Sequence, residues 1–109
     1  MVLGKDNLLT SGAPYNSIFG KNNIIINGSA YNFLIGADNI VTDGVFDSLI
    51  FGFNNTISQS NVERGHDIIV GINNLSNNSA DLNTLIGYNN LAKNSVKFST
   101  LIGYGLTSE

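Results

Sequence analysis

The 109-residue sequence holds one histidine, His66, and it lies in a charged stretch: Ser58 to Asp67 also contains Glu63, Arg64 and Asp67. A histidine among acids suits proton transfer or metal ligation. A metal site needs convergent ligands, however, and the spacing establishes no convergence, so no metal ligand is assigned. Nor does His66 stand beside a serine in a nucleophile turn, and there is no phosphate-cradling glycine loop and no facing pair of acids. No catalytic residue and no cofactor is expected. A second set of residues suits binding: Phe53, Tyr88 and Tyr104 are flat side chains that can stack on sugar rings at low entropic cost. Phe53, Tyr88, Tyr104, Arg64 and His66 are therefore the candidate ligand contacts. Inter-subunit packing explains the aromatic ladder without a ligand and is the preferred reading, as a solvated loop is for the charged stretch.

These residues are positioned by a repeat. Gly4, Gly20, Gly36, Gly52, Gly71, Gly87 and Gly103 are spaced 16, 16, 16, 19, 16 and 16 residues apart, each after two bulky apolar residues such as Ile18-Phe19 or Leu85-Ile86. A fixed period of this length predicts a solenoid whose units bury apolar surface by stacking on neighbours. The array runs nearly end to end, so residues 1–109 are read as one domain. The longer interval contains the Ser58 to Asp67 stretch, and insertions of this kind bulge from one face.

Counted from its glycine, each coil carries asparagine at the third position: Asn23, Asn39, Asn55, Asn74 and Asn90 after the initial Asn7. An Asn or Asp precedes each, and such pairs favour turns because they tolerate left-handed dihedrals. The glycines Gly20, Gly36, Gly52, Gly71, Gly87 and Gly103 and these asparagines are read as structural corner positions, the asparagines forming a ladder along the stack. A second apolar run follows, Ile24-Ile25-Ile26 or Ile40-Val41, closing on Gly12, Gly28, Gly44, Ser79 and Ser95. β-branched residues and the lack of helical periodicity favour strands. The expected architecture is all-β: a parallel β-solenoid of about six coils of 16 residues, two short strands each, and about 29 Å long. Tyr15, Tyr31, Leu82 and Phe98, at position eleven, are expected to fill a corner of the core.

Composition narrows function. Net charge is −3, and the five basic residues are scattered, which disfavours nucleic-acid binding. Cysteine is absent, so disulfides and thiolate metal sites are excluded. The longest apolar stretches are a few residues, and neither a signal peptide nor a membrane span is recognisable. Both ends fall inside the repeat, so the chain is read as a segment of a longer fibre or as a rod capped by adjoining proteins.

Adjacent strand residues point to opposite faces, and both rows before the glycine are apolar. A thin roll buries only one of them. The row Ile18, Leu34, Ile50, Ile69, Leu85 and Leu101 is assigned to the outside, where it would form the interface of a homo-oligomer.

The segments Asn83-Thr84-Leu85-Ile86-Gly87-Tyr88-Asn89-Asn90-Leu91 and Ser17-Ile18-Phe19-Gly20 to Gly28 resemble the YadA-type head repeats of trimeric autotransporter adhesins and the related repeats of bacteriophage tail and head fibres. The likeness covers essentially every coil. It implies a left-handed β-roll assembled as a homotrimer and displayed as a stalk or adhesive head. This coil is longer than the adhesin motif, and Phe19 and Phe51 are bulkier than its usual residues. The resulting expectation is a non-enzymatic fibre segment at the virion surface of a phage, held among flanking fibre or virion proteins and contacting host-surface glycans. The alternative is the head of a bacterial trimeric surface adhesin at the cell surface. A left-handed β-helix acyltransferase is a minor alternative, because such enzymes also use a lone histidine, but their hexapeptide pattern requires a coil divisible by six. Ice binding would need unbroken threonine rows, and Thr84 and Thr100 align instead with Ser17, Phe33, Leu49 and Ile68.

Overall fold

Each motif glycine sits near the end of a short extended segment, and these segments stack in strict register. The computed structural model describes residues 1–10, 12–59, 64–77, 82–93 and 98–109. One seven-stranded sheet contains β1 (Val2–Lys5), β3 (Ser17–Lys21), β5 (Phe33–Ala37), β8 (Leu49–Phe53), β11 (Ile68–Ile72), β13 (Thr84–Tyr88) and β15 (Thr100–Tyr104). A second contains β2 (Leu8–Leu9), β4 (Ile24–Ile25), β6 (Ile40–Thr42), β9 (Thr56–Ser58), β12 (Leu75–Asn77), β14 (Leu91–Ala92) and β16 (Thr107–Ser108). Every pairing is parallel, and the glycines face one another rung by rung, Gly36 against both Gly20 and Gly52. The chain is thus a β-solenoid of about six turns, 32 Å along its longest axis and 14 Å across its thinnest.

The coil differs from the two-strand expectation on one side. A short third sheet pairs β7 (Val45–Phe46) with β10 (Arg64–Gly65), and Ala30 bridges to Phe46 beside it. The extra residues of the long coil are accommodated between Ser58, still paired with Thr42, and Arg64, already paired with Val45. Residues 60–63, including Glu63, lie outside the described residues, as do Ser79 and Ser95.

The core requires a correction. Ile18, Leu34, Ile50, Ile69 and Leu85 are completely buried, and they pack against Ile25, Val41, Ile57 and Ala92 of the second sheet. Leu101 packs against the same cluster. This row is therefore the interior of a single chain, not its interface with another. The opposite row, Leu3, Phe19, Ile35, Phe51, Val70, Ile86 and Ile102, is the one that faces outward. The physical reason is the width of the roll: only medium-sized aliphatic side chains interdigitate across so thin an interior, whereas phenylalanines need the open side. Parity carried the same information. Asn16, Asn32, Asp67 and Asn83 stand two residues before the buried aliphatics and are buried with them, while the outward parity includes Ser17, Thr84 and Thr100.

Candidate functional site

Two side-chain ladders fix the frame. In the first, Asn39 Nδ2 donates to the Gly52 carbonyl at 2.9 Å and to Asn23 Oδ1 at 3.0 Å, while Asn39 Oδ1 accepts from the Asn55 backbone N–H and from Asn55 Nδ2, both at 3.0 Å. Asn23 and Asn55 repeat this pattern, Asn74 donates to Asn55 Oδ1 and the Gly87 carbonyl and accepts from the Asn90 N–H, and Asn90 Nδ2 donates to the Ile86 and Gly103 carbonyls. Because these amides saturate buried backbone groups, they are occupied by structure. The second ladder was not anticipated from the sequence. Asn16 Oδ1 accepts from the Asn32 N–H, Asn32 Oδ1 from the Ser48 N–H, Ser48 Oγ from the Asp67 N–H, and Asp67 Oδ1 from the Asn83 N–H. Asp67 is fully buried, and its other carboxylate oxygen accepts from Ser76 Oγ at 2.8 Å. That hydroxyl explains why a serine stands in the inner row where other coils carry Ile25, Val41 and Ile57.

The candidate contacts fall into two separate places. Phe53, Tyr88 and Tyr104 are exposed in one column just after the motif glycines, and the Tyr88 and Tyr104 rings stack at 5.3 Å and 9°. His66 lies at the opposite end of the first-sheet strands, two residues before β11. Arg64 pairs through its backbone with Val45, and its side chain lies outside the described residues. The structure therefore separates the aromatic column from His66 by the length of a strand.

His66 belongs to a different column. Tyr15, Tyr31, Asp47, His66, Leu82 and Phe98 each stand five residues before the next motif glycine. Counted forward, the insertion throws His66 out of line. Counted backward, it aligns at once, and this was the available signal. The corner-filling expectation for Tyr15, Tyr31, Leu82 and Phe98 is overturned: Tyr15 is 75% exposed and Phe98 76%, with Tyr31 and Leu82 about half exposed. The turn holds the backbone at positive φ, 59° at Tyr15, 58° at Tyr31, 54° at Asp47, 70° at His66 and 55° at Leu82, which directs the side chains away from the core.

At this corner the Tyr15 and Tyr31 rings stack at 4.9 Å and 12°, and His66 Nε2 lies 3.5 Å from Asp47 Oδ2. Tyr31, Phe46, Asp47 and His66 line an open cleft of about 550 Å³. Phe46 and Asp47 were not among the contacts expected from the sequence. Compared with family models, curated proteins and solved structures, the chain matches none. The corner's chemistry is consequently read from its own geometry: two ring faces, one carboxylate and one imidazole, open to solvent. Among the described residues, no three His, Cys, Asp or Glu side chains are grouped to hold a metal ion, and no helix is long and apolar enough to cross a membrane.

Proposed function

We propose that this chain is a non-enzymatic rod segment that assembles with copies of itself into a homotrimeric fibre, displayed on a phage virion and contacting host-surface glycans. The observation that carries the self-association is the outer face of the first sheet, while the virion display and the glycan contact rest on the resemblance of the repeats. Its central row is Phe19, Ile35, Phe51, Val70 and Ile86, flanked by Phe33, Leu49 and Ile68, with ring contacts from Phe33 to Phe19 at 5.5 Å and to Phe51 at 6.1 Å. Strands of four or five residues on seven rungs give a sheet face of about 500 Å², and the unbroken apolar row along its centre is the kind of exposed patch that marks an interaction site.

A second copy is the occupant that fits, since the face repeats with the coil and carries no charge along its central row to select a different partner. The outer face of the second sheet is the poorer candidate, because its Leu8, Ile24, Ile40, Leu75 and Leu91 row is interrupted by Thr56 and lies beside a row in which Ile26 stands among Thr10, Thr42, Ser58 and Asn77. The left hand of the roll and the number three rest on the resemblance of the repeats to YadA-type adhesin heads and phage fibres. The interface is reassigned within that reading, from the buried Ile18 row to the Ile35 row.

Immunogold labelling with antibodies raised against the chain tests the display. Gold along external fibres of the particle is the expected result. Gold confined to the interior of the particle, or to the cytoplasm of the cell, overturns it.

A further inference from the structure

We infer that the corner lined by Tyr31, Phe46, Asp47 and His66 is a binding site for a neutral sugar ring. The inference deepens the glycan contact proposed above and rests on that reading of a displayed rod.

Strain is the first observation. A left-handed residue other than glycine costs roughly 1–2 kcal/mol, least for Asn and Asp. The chain respects this at its other left-handed corners among the described residues, where the non-glycine occupants are Asn or Asp: Asp6, Asn22, Asp38, Asn54, Asn73 and Asn89 at one, Asn27 and Asp43 at another. Only the third corner holds Tyr15, Tyr31, His66 and Leu82 in that conformation. Asparagine would satisfy the backbone there as it does elsewhere, so what sets this corner apart is what its side chains present to solvent.

What they present matches a pyranose. Tyr15 covers one face of the Tyr31 ring and holds it in place, the other face of Tyr31 is the platform for the C–H face of a sugar, and Phe46 supplies an apolar wall. Beside the platform, the Asp47 carboxylate accepts hydrogen bonds from ring hydroxyls, and the His66 imidazole both donates and accepts. The two groups are 3.5 Å apart, the spacing at which adjacent hydroxyls bridge a donor and an acceptor. The cleft volume lies within the usual range of ligand sites. Charge selects among sugars. Asp47 places a carboxylate on the cleft, which repels a sialylated, sulfated or phosphorylated group and favours a neutral sugar.

Amide chemical-shift mapping on the assembled protein tests the site, with neutral glucose-, galactose- and mannose-containing oligosaccharides as probes. Sialylated and sulfated oligosaccharides and tetramethylammonium serve as comparison arms. The expected result is saturable shifts at Tyr31, Phe46, Asp47 and His66 with a neutral oligosaccharide. Tyr31→Asn should weaken binding by about tenfold through loss of one ring face, while Tyr31→Phe should preserve it. Asparagine suits the left-handed backbone, so loss of binding in that variant is not loss of fold. Shifts with the charged sugars or tetramethylammonium alone, shifts confined to the Tyr88 and Tyr104 column, or no shifts at all would overturn the inference. Light scattering on the same samples separates the two proposals, because a monomer that still binds sugar contradicts the trimer and leaves the site standing.

Discussion

A Cβ added to Gly36 would lie 1.8 Å from the carbonyl oxygen of Gly52, the glycine one coil further along the rod. The same contact recurs at Gly4, Gly20, Gly52, Gly71 and Gly87, so the repeat spacing is a record of backbone meeting backbone. Gly36 also holds a φ of +135°, a region essentially closed to other residues.

From this pair, Gly36→Ala is expected to destabilise the chain by at least about 3 kcal/mol, because the strain and the clash add and the backbone cannot move aside. Gly28, at φ +76° with nothing within 4 Å of an added Cβ, provides the contrast. Gly28→Asn should be nearly neutral, since its φ lies close to the left-handed region that Asn tolerates and the added side chain meets nothing. Urea unfolding of the two variants checks the difference.

The asparagine ladder makes a separate claim. Replacing Asn39 by Ala leaves the buried Asn55 N–H and the Gly52 carbonyl without the partners they have at 3.0 and 2.9 Å. Two such losses are expected to cost about 3 kcal/mol or more. Asn39→Asp should not rescue the fold at neutral pH, because a carboxylate has no hydrogen to give the Gly52 carbonyl. Thermal melts of both variants beside Asn22→Gly, which alters an exposed corner without adding left-handed strain, would show whether the buried position is the costly one.

The strained corner predicts a gain instead. Tyr15→Asn is expected to raise stability by roughly 0.5 kcal/mol, the relief of left-handed strain exceeding the loss of one exposed ring stack. A denaturant midpoint unchanged or lowered would remove strain as evidence for a role of this column.

Much of this architecture is written in the spacing. The interval from Gly20 to Gly36 gives the coil, the Asx pairs give the first corner, and the apolar runs on either side give the two main sheets. Which apolar row lies inside was not legible from hydrophobicity, since Leu34 and Ile35 are equally apolar and the alternation is symmetric. It is decided by neighbours two residues away, Asn32 being buried in a ladder with Leu34. The corner at Tyr31 was hidden for another reason. Local propensity argues against a left-handed tyrosine, and only the tertiary stacking of Pro14, Tyr31 and Asp47 backbones holds it, through the Tyr31 N–H donated to Pro14 and the Asp47 N–H donated to Ala30. Asp47 and His66 are 19 residues apart and meet only because the insertion is accommodated before Arg64.

Assembly into a fibre turns on the outward row of the first sheet being the surface that joins copies. Light scattering of the native chain and of an Ile35→Asp, Phe51→Asp variant measures this without intermediaries. Three times the 11.6 kDa chain mass is expected for the native protein, and a single-chain mass with an unchanged β-sheet spectrum for the variant. A native protein that remains one chain at high concentration, or a variant that keeps the native mass, would refute that role for the row.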